Sequence, residues 1–114
     1  MARETMNFDQ LFAGEVGHIV SVPVSGATIK RGDVLVATVT SGAVAATFVK
    51  ATEDAKVGNI YVVAANDVKN FTGDVVAYAD GYFDAAVAKI NDKAINDASK
   101  LALMASKIFI VTTK

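Results

Sequence analysis

Cysteine does not occur in this chain of 114 residues, tryptophan is missing, and histidine and proline each occur once, as His18 and Pro23. Without cysteine there is no disulfide-stapled secreted scaffold and no Cys-based zinc site. With a single histidine, neither a Ser-His-Asp nor a Cys-His constellation can be assembled with confidence. Charge of one sign is also lacking: 11 Lys and Arg balance 12 Asp and Glu, for a formal net charge of -1. A nucleic-acid binder would need a basic excess or patch. Long hydrophobic runs are missing too. Residues 60–65 form one of the longest, far short of the roughly 20 apolar residues that span a bilayer. Met1-Ala2-Arg3-Glu4-Thr5 is not followed by the apolar core of a signal peptide. A soluble, non-secreted chain is expected, with no nucleic acid and no membrane among its partners.

Chemistry-bearing motifs are equally scarce. No GxxxxGK[ST] and no GxGxxG occurs. Asp80 with Asp84, and Glu53 with Asp54, lack the regular spacing of a calcium loop. These absences predict no enzymatic activity, no cofactor and no metal.

What is present is a phrase used twice, Gly32-Asp33-Val34-Leu35-Val36-Ala37 and Gly73-Asp74-Val75-Val76-Ala77-Tyr78, about forty residues apart. Gly frees the backbone for a turn, and Asp can hydrogen-bond its own backbone two residues on. Gly32, Asp33, Gly73 and Asp74 are therefore expected to hold turns, as is Gly81 after the second copy. Each apolar run that follows is strand-like. The paired carboxylates Asp33 and Asp74 read as turn residues, not as a general acid and base. Composition adds a second point: 53% of residues are hydrophobic, only 20% are charged, and mean hydropathy is +0.38. So small a domain cannot bury all of that in one core. Either the surface is rich in Ala, or part of the excess serves subunit or partner interfaces.

Along the chain, residues 1–14 show no clear period and carry Phe8, Leu11 and Phe12; they read as a flexible N-terminal arm, or one short helical turn, ahead of a single domain over 15–114. From Val16 to Val24 the alternation is that of a strand with one buried face, His18 lying on the Val side as a core or interface residue. Pro23 marks an edge or a bulge. Gly26 to Gly32 reads as a turn. Strands are expected at Val34–Val39, at Val44–Lys50 with Val44, Ala46 and Phe48 on one side, at Ile60–Ala65 and at Val75–Ala79. Residues 51–58 form a polar loop, and Asn66-Asp67 a turn. Asp84–Ile90 fits either an extended stretch or the start of a helix. Residues 92–106 carry a helical period with Asn91 or Asp92 as N-cap, and Lys93, Lys100 and Lys107 on the solvated side. Ile108-Phe109-Ile110-Val111 closes the pattern as a strand. The class is mainly β with a C-terminal helix (α+β), a small Gly-punctuated barrel.

Two family resemblances attach to these residues. Pro23 to Val39, with its Gly-Asp-Val-Leu, is similar to the hairpins of lipoyl- and biotinyl-carrier domains, which present a modifiable Lys at a hairpin tip. Asp54-Ala55-Lys56 is the nearest counterpart, although the second Gly-Asp-Val falls off the usual spacing and that fold has no C-terminal helix. The second resemblance spans roughly residues 30–112: Gly-Asp-Val-Leu, the later Gly-Asp-Val-Val-Ala, Gly81-Tyr82-Phe83-Asp84, a helix ending near Leu103-Met104-Ala105, and Ile108-Phe109-Ile110-Val111. This order resembles the head decoration proteins of tailed bacteriophages, of the phage lambda type, whose domain is a β-tulip-like barrel. One departure is Ser106-Lys107, where that family often has Gly. The resemblance implies a cement protein, a homotrimer on the outer surface of the expanded capsid in the virion, whose arm adds to the major capsid protein and whose binding stabilises the head. Phe8, Leu11 and Phe12 would then contact the capsid. A tail or baseplate structural component is a further reading of the same pattern.

Overall fold

A computed structural model describes residues 18–111. In chain order the elements are β1 (Ile19–Ile29), β2 (Val34–Ala37), β3 (Val39–Thr40), β4 (Ala43–Val44), β5 (Val49–Lys50), β6 (Ile60–Ala64), β7 (Val68–Tyr78), β8 (Gly81–Asp84), β9 (Lys89–Ile90), β10 (Lys93–Ala94), α1 (Asp97–Met104) and β11 (Ile108–Val111). The class is mainly β with one C-terminal helix, as the sequence predicts.

Five strands form the main sheet in the order β1-β7-β6-β2-β5, every pairing antiparallel. The sheet curls until its outer strands nearly meet, the Phe48 amide donating to the Pro23 carbonyl at 2.8 Å. Neighbouring N–H and C=O of one strand residue point the same way, so the N–H that proline lacks falls on this seam and not in the β1–β7 ladder.

Period-two burial explains which segments became central strands. Along β2, Leu35 enters the barrel interior with Val22, Val24, Ile29, Val62, Ala64, Val75 and Ala77. Val34 on the same strand faces outward into a second core with Tyr61, Val63, Tyr78, Phe83, Leu103 and Ile108. β2 and β6 are covered on both faces, and so their sequences are continuously apolar. β1 is covered on one face only, with Ser21, Pro23 and Ser25 exposed and Val22 and Val24 buried. The second core is roofed by β8 paired in parallel with β11, by the β9–β10 hairpin, and by α1.

Several elements differ from the sequence expectation. The helix begins at Asp97, not at residue 92, and its N-cap is Asn96, whose side chain accepts from the Ser99 amide. Asn91 and Asp92, at φ 53° and 61°, are instead the two left-handed residues that turn β9 into β10. Short polar side chains tolerate that region, and two such residues in sequence match the twist of a tight hairpin. Of the three lysines expected along one helical stripe, only Lys100 lies in α1. The second Gly-Asp is not a turn: Gly73 and Asp74 sit within β7, opposite Val24 and Pro23. Nor does Gly26 end β1, which continues to Ile29 with register shifts on either side of Ala27. The expected strand over 44–50 is broken into β4 and β5, with Val44 and Ala46 exposed; Thr38 likewise interrupts the strand expected over 34–39.

Candidate interaction surface

Among the residues singled out in the sequence, Phe8, Leu11 and Phe12 lie outside the described residues. Gly32 and Asp33 occupy the turn between β1 and β2, where the Asp33 amide donates to the Lys30 carbonyl at 2.9 Å. The Asp33 carboxylate accepts from the Lys30 amide at 2.9 Å and lies 3.7 Å from Lys50 Nζ. Gly81 opens β8 at φ 133°. The structure does not bring Asp33 and Asp74 together as a pair; one is buried in a turn and the other exposed on β7.

His18 is not on the buried Val face. Its side chain is 86% exposed and lies 2.8 Å from Asp80 through Nδ1, while its backbone N–H donates to the same carboxylate at 2.9 Å. The Ala79 amide donates back to the His18 carbonyl at 2.8 Å. His18, the residue before β1, is therefore clasped to the bend between β7 and β8. The His18 amide, then the His18 ring, hold the Asp80 carboxyl below the ordinary aspartate range.

A second charged cluster closes the side of the molecule near β5. Lys50 Nζ donates to Asp92 at 3.0 Å. That bond raises the Lys50 amine above the ordinary lysine value against the opposing effect of burial, and it lowers Asp92. Next to it lies a groove of about 210 Å³ lined in part by Thr38, Val49, Lys50, Asn59 and Tyr61. Tyr61 accepts the Lys56 amide at 2.7 Å. Lys56 stands on the connection from β5 to β6, two strands that both pair with β2 and not with each other, so it is not at a hairpin tip. Among the described residues, no group of three or more His, Cys, Asp or Glu could hold a metal ion. No described helix is long and apolar enough to cross a membrane.

The surface itself is the more informative feature. Residues 34–49 contain no charged side chain. The first part of this stretch is core strand β2. The remainder projects as the β3–β4 ribbon, in which Val39 pairs with Val44 and Thr40 with Ala43 across Ser41-Gly42. Everything from Thr40 to Ala46 is exposed. The ribbon is continuous with exposed Ile60, the partner of Ala37, and lies close to Val57 through the Asn59 side chain, which accepts the Val39 amide at 3.1 Å. A second exposed apolar group lies elsewhere: Leu101 and Met104 on α1, and Tyr82 stacked on Phe109 with ring centroids 4.9 Å apart. That group is interspersed with Asp97, Lys100 and Lys107. Sequence reasoning anticipated surplus apolar surface from composition but placed Val44 and Ala46 in a half-buried strand; the signal that could have located them was the uncharged run itself.

No protein-family model and no curated protein matches this chain.

Proposed function

We propose that this chain is a structural protein of a tailed bacteriophage that binds the outer surface of the expanded capsid as a homotrimer and stabilises the head. The observation that carries the reading is the C-terminal unit. Gly81-Tyr82-Phe83-Asp84 forms β8, a short helix follows, and Ile108-Phe109-Ile110-Val111 returns as β11, parallel to β8 and in register from Ile108 with Gly81. This is the element order of the decoration-protein resemblance. At its one departure, Lys107 adopts φ 62°, a conformation that glycine takes at no steric cost.

In this reading Phe8, Leu11 and Phe12 supply the contact with the major capsid protein. Burying each apolar side chain is worth roughly 1.5–3 kcal/mol before the entropy of ordering the arm is subtracted. A single arm is then a weak ligand, and three arms on one trimer bind together far more tightly. A protein that binds only the expanded lattice stabilises that lattice by mass action.

The experiment is co-sedimentation with purified expanded capsids, using the full chain and a form lacking residues 1–14. The full chain should pellet with capsids and raise their melting temperature, and the truncated form should remain folded and stay in the supernatant. Equal decoration by the truncated form would overturn the arm mechanism. A full chain that ignores expanded capsids would overturn the function.

A further inference from the structure

We infer that the outward face of the β8–β11 pair, centred on Tyr82 and Phe109, is the docking site for the chain's own N-terminal arm, which lays Leu11 and Phe12 across the two stacked rings when the protein is free. The inference concerns the isolated chain and goes beyond the function proposed above. In that function, this face and the capsid compete for the same side chains.

The face follows from the register of the two strands. Phe83, Ile108 and Ile110 are buried in the second core. Strand alternation therefore turns Tyr82 and Phe109, which sit opposite one another, to the other side. Their rings stack with centroids 4.9 Å apart, and Tyr82 is still 44% exposed. Such a pair offers a large, rigid apolar area, and covering it costs little rotamer freedom.

Connectivity selects the occupant. Gly17 is bonded to His18, and the His18 amide donates to the Asp80 carboxylate at 2.9 Å. Tyr82 follows Asp80 by two positions, a Cα separation of at most about 8 Å. Phe12 precedes His18 by six positions, and six residues span up to about 20 Å. Leu11 and Phe12 therefore reach the rings with slack. A tether this short holds them at an effective concentration on the order of millimolar. A contact too weak to recruit a partner from solution then forms within the chain. Charge agrees with this occupant. Residues 1–17 carry Glu4, Asp9 and Glu15 against Arg3. The Lys107 carbonyl accepts the Gly81 amide at 3.1 Å, which sets a lysine at the end of the face that adjoins Asp80.

Tryptophan is absent from the chain, so Phe12→Trp introduces a single reporter. The test is its emission maximum and its quenching by acrylamide in the full chain, alone and combined with Tyr82→Ser or Phe109→Ser. Far-UV circular dichroism reports folding, and Tyr82 is exposed, so Y82S should fold. The expected result for F12W is blue-shifted emission with quenching several-fold weaker than in the urea-unfolded chain, both lost in the folded double variants. Fully exposed emission in F12W would overturn the docking. Shielding that persists in F12W/Y82S and F12W/F109S would place the arm on another surface and overturn the site. Refolding F12W/Y82S together with an excess of the parent chain separates one copy from two. Emission that stays exposed supports docking within one chain, whereas shielding restored by the parent would put the arm on a neighbouring copy and overturn the intrachain contact. Capsid co-sedimentation of the same samples is the separate readout of the proposed function.

Discussion

The Ser99 hydroxyl oxygen accepts the Ala55 amide proton at 3.0 Å, joining the first turn of α1 to a loop forty-four positions earlier in the chain. Both residues are buried. With the Asn96 side chain donating to Asp54 at 2.8 Å, this bond ties the connection between β5 and β6 to the helix. Ser99→Ala removes the acceptor of a buried N–H while leaving the packing volume almost unchanged. The expected loss is about 1–3 kcal/mol, the desolvation penalty of an unsatisfied buried donor. Urea unfolding should show a lower midpoint at an unchanged slope.

Gly32 makes a close backbone approach. It adopts φ 98°, and a Cβ there would lie 2.7 Å from the Val87 carbonyl oxygen. The same residue donates to the Ala64 carbonyl at 2.9 Å and accepts from the Lys89 amide at 3.0 Å, so the β1–β2 turn cannot shift without disturbing both. Gly73, at φ 144°, would also be strained by a side chain, but a Cβ there would meet only the Phe71 ring, at 3.1 Å. Both substitutions carry positive-φ strain, and Gly32→Ala should cost more than Gly73→Ala by about 1–3 kcal/mol because its Cβ also forces the backbone to shift. Parallel thermal melts of the two variants give the comparison.

Lys107 follows the helix at φ 62°, its amide donating to the Met104 carbonyl at 3.0 Å. A left-handed residue with a side chain costs roughly 1–2 kcal/mol relative to one without. Lys107→Gly should raise stability, by about 1 kcal/mol after the larger backbone entropy of glycine in the unfolded chain is counted. The Lys107 charge also favours ionised Asp80, so the gain should be larger at high salt, where that attraction is screened. Denaturant midpoints at two ionic strengths test this.

Asp80 sets part of the acid limb of stability. Its carboxyl is held below the ordinary value of 3.8 in the folded chain, first by the His18 amide and then by the His18 ring. The unfolded chain binds the proton more readily, so the contribution is complete above the unfolded pKa and disappears as pH falls through the folded one. Asp80→Asn should flatten the melting temperature against pH below about pH 4, with a remaining slope from Asp92, which is also lowered. Because the backbone bond is the larger cause, His18→Ala should flatten the limb less than Asp80→Asn. Equal flattening by the two variants would show that the ring dominates.

The class and much of the strand placement were legible in the residues. Ile60–Ala64 and Val34–Ala37 are apolar without interruption because both faces are covered, and β1 alternates because one face is not. Less legible was punctuation. The two Gly-Asp-Val phrases are nearly alike, yet one turns and the other runs straight through β7. Local chemistry permits both, and the difference comes from Val24 and Pro23 lying opposite Gly73 and Asp74. Asn91-Asp92 could equally cap a helix or turn a hairpin; the ion pair of Asp92 with Lys50, far away in sequence, accompanies the second choice.

By itself, the sequence determined that this is a small, cysteine-free, mainly β domain with a late helix, because period-two patterning and composition act locally and survive any arrangement of the elements. Only the tertiary structure decided which apolar residues stay outside. Val44 and Val36 look alike in the string of residues, but Val36 packs against the outer core and Val44 is left exposed on a two-stranded ribbon. Burial depends on what other segments supply from across the fold. The same holds for His18, which the alternation of β1 assigns to the core or an interface and the Asp80 carboxylate holds exposed on this domain.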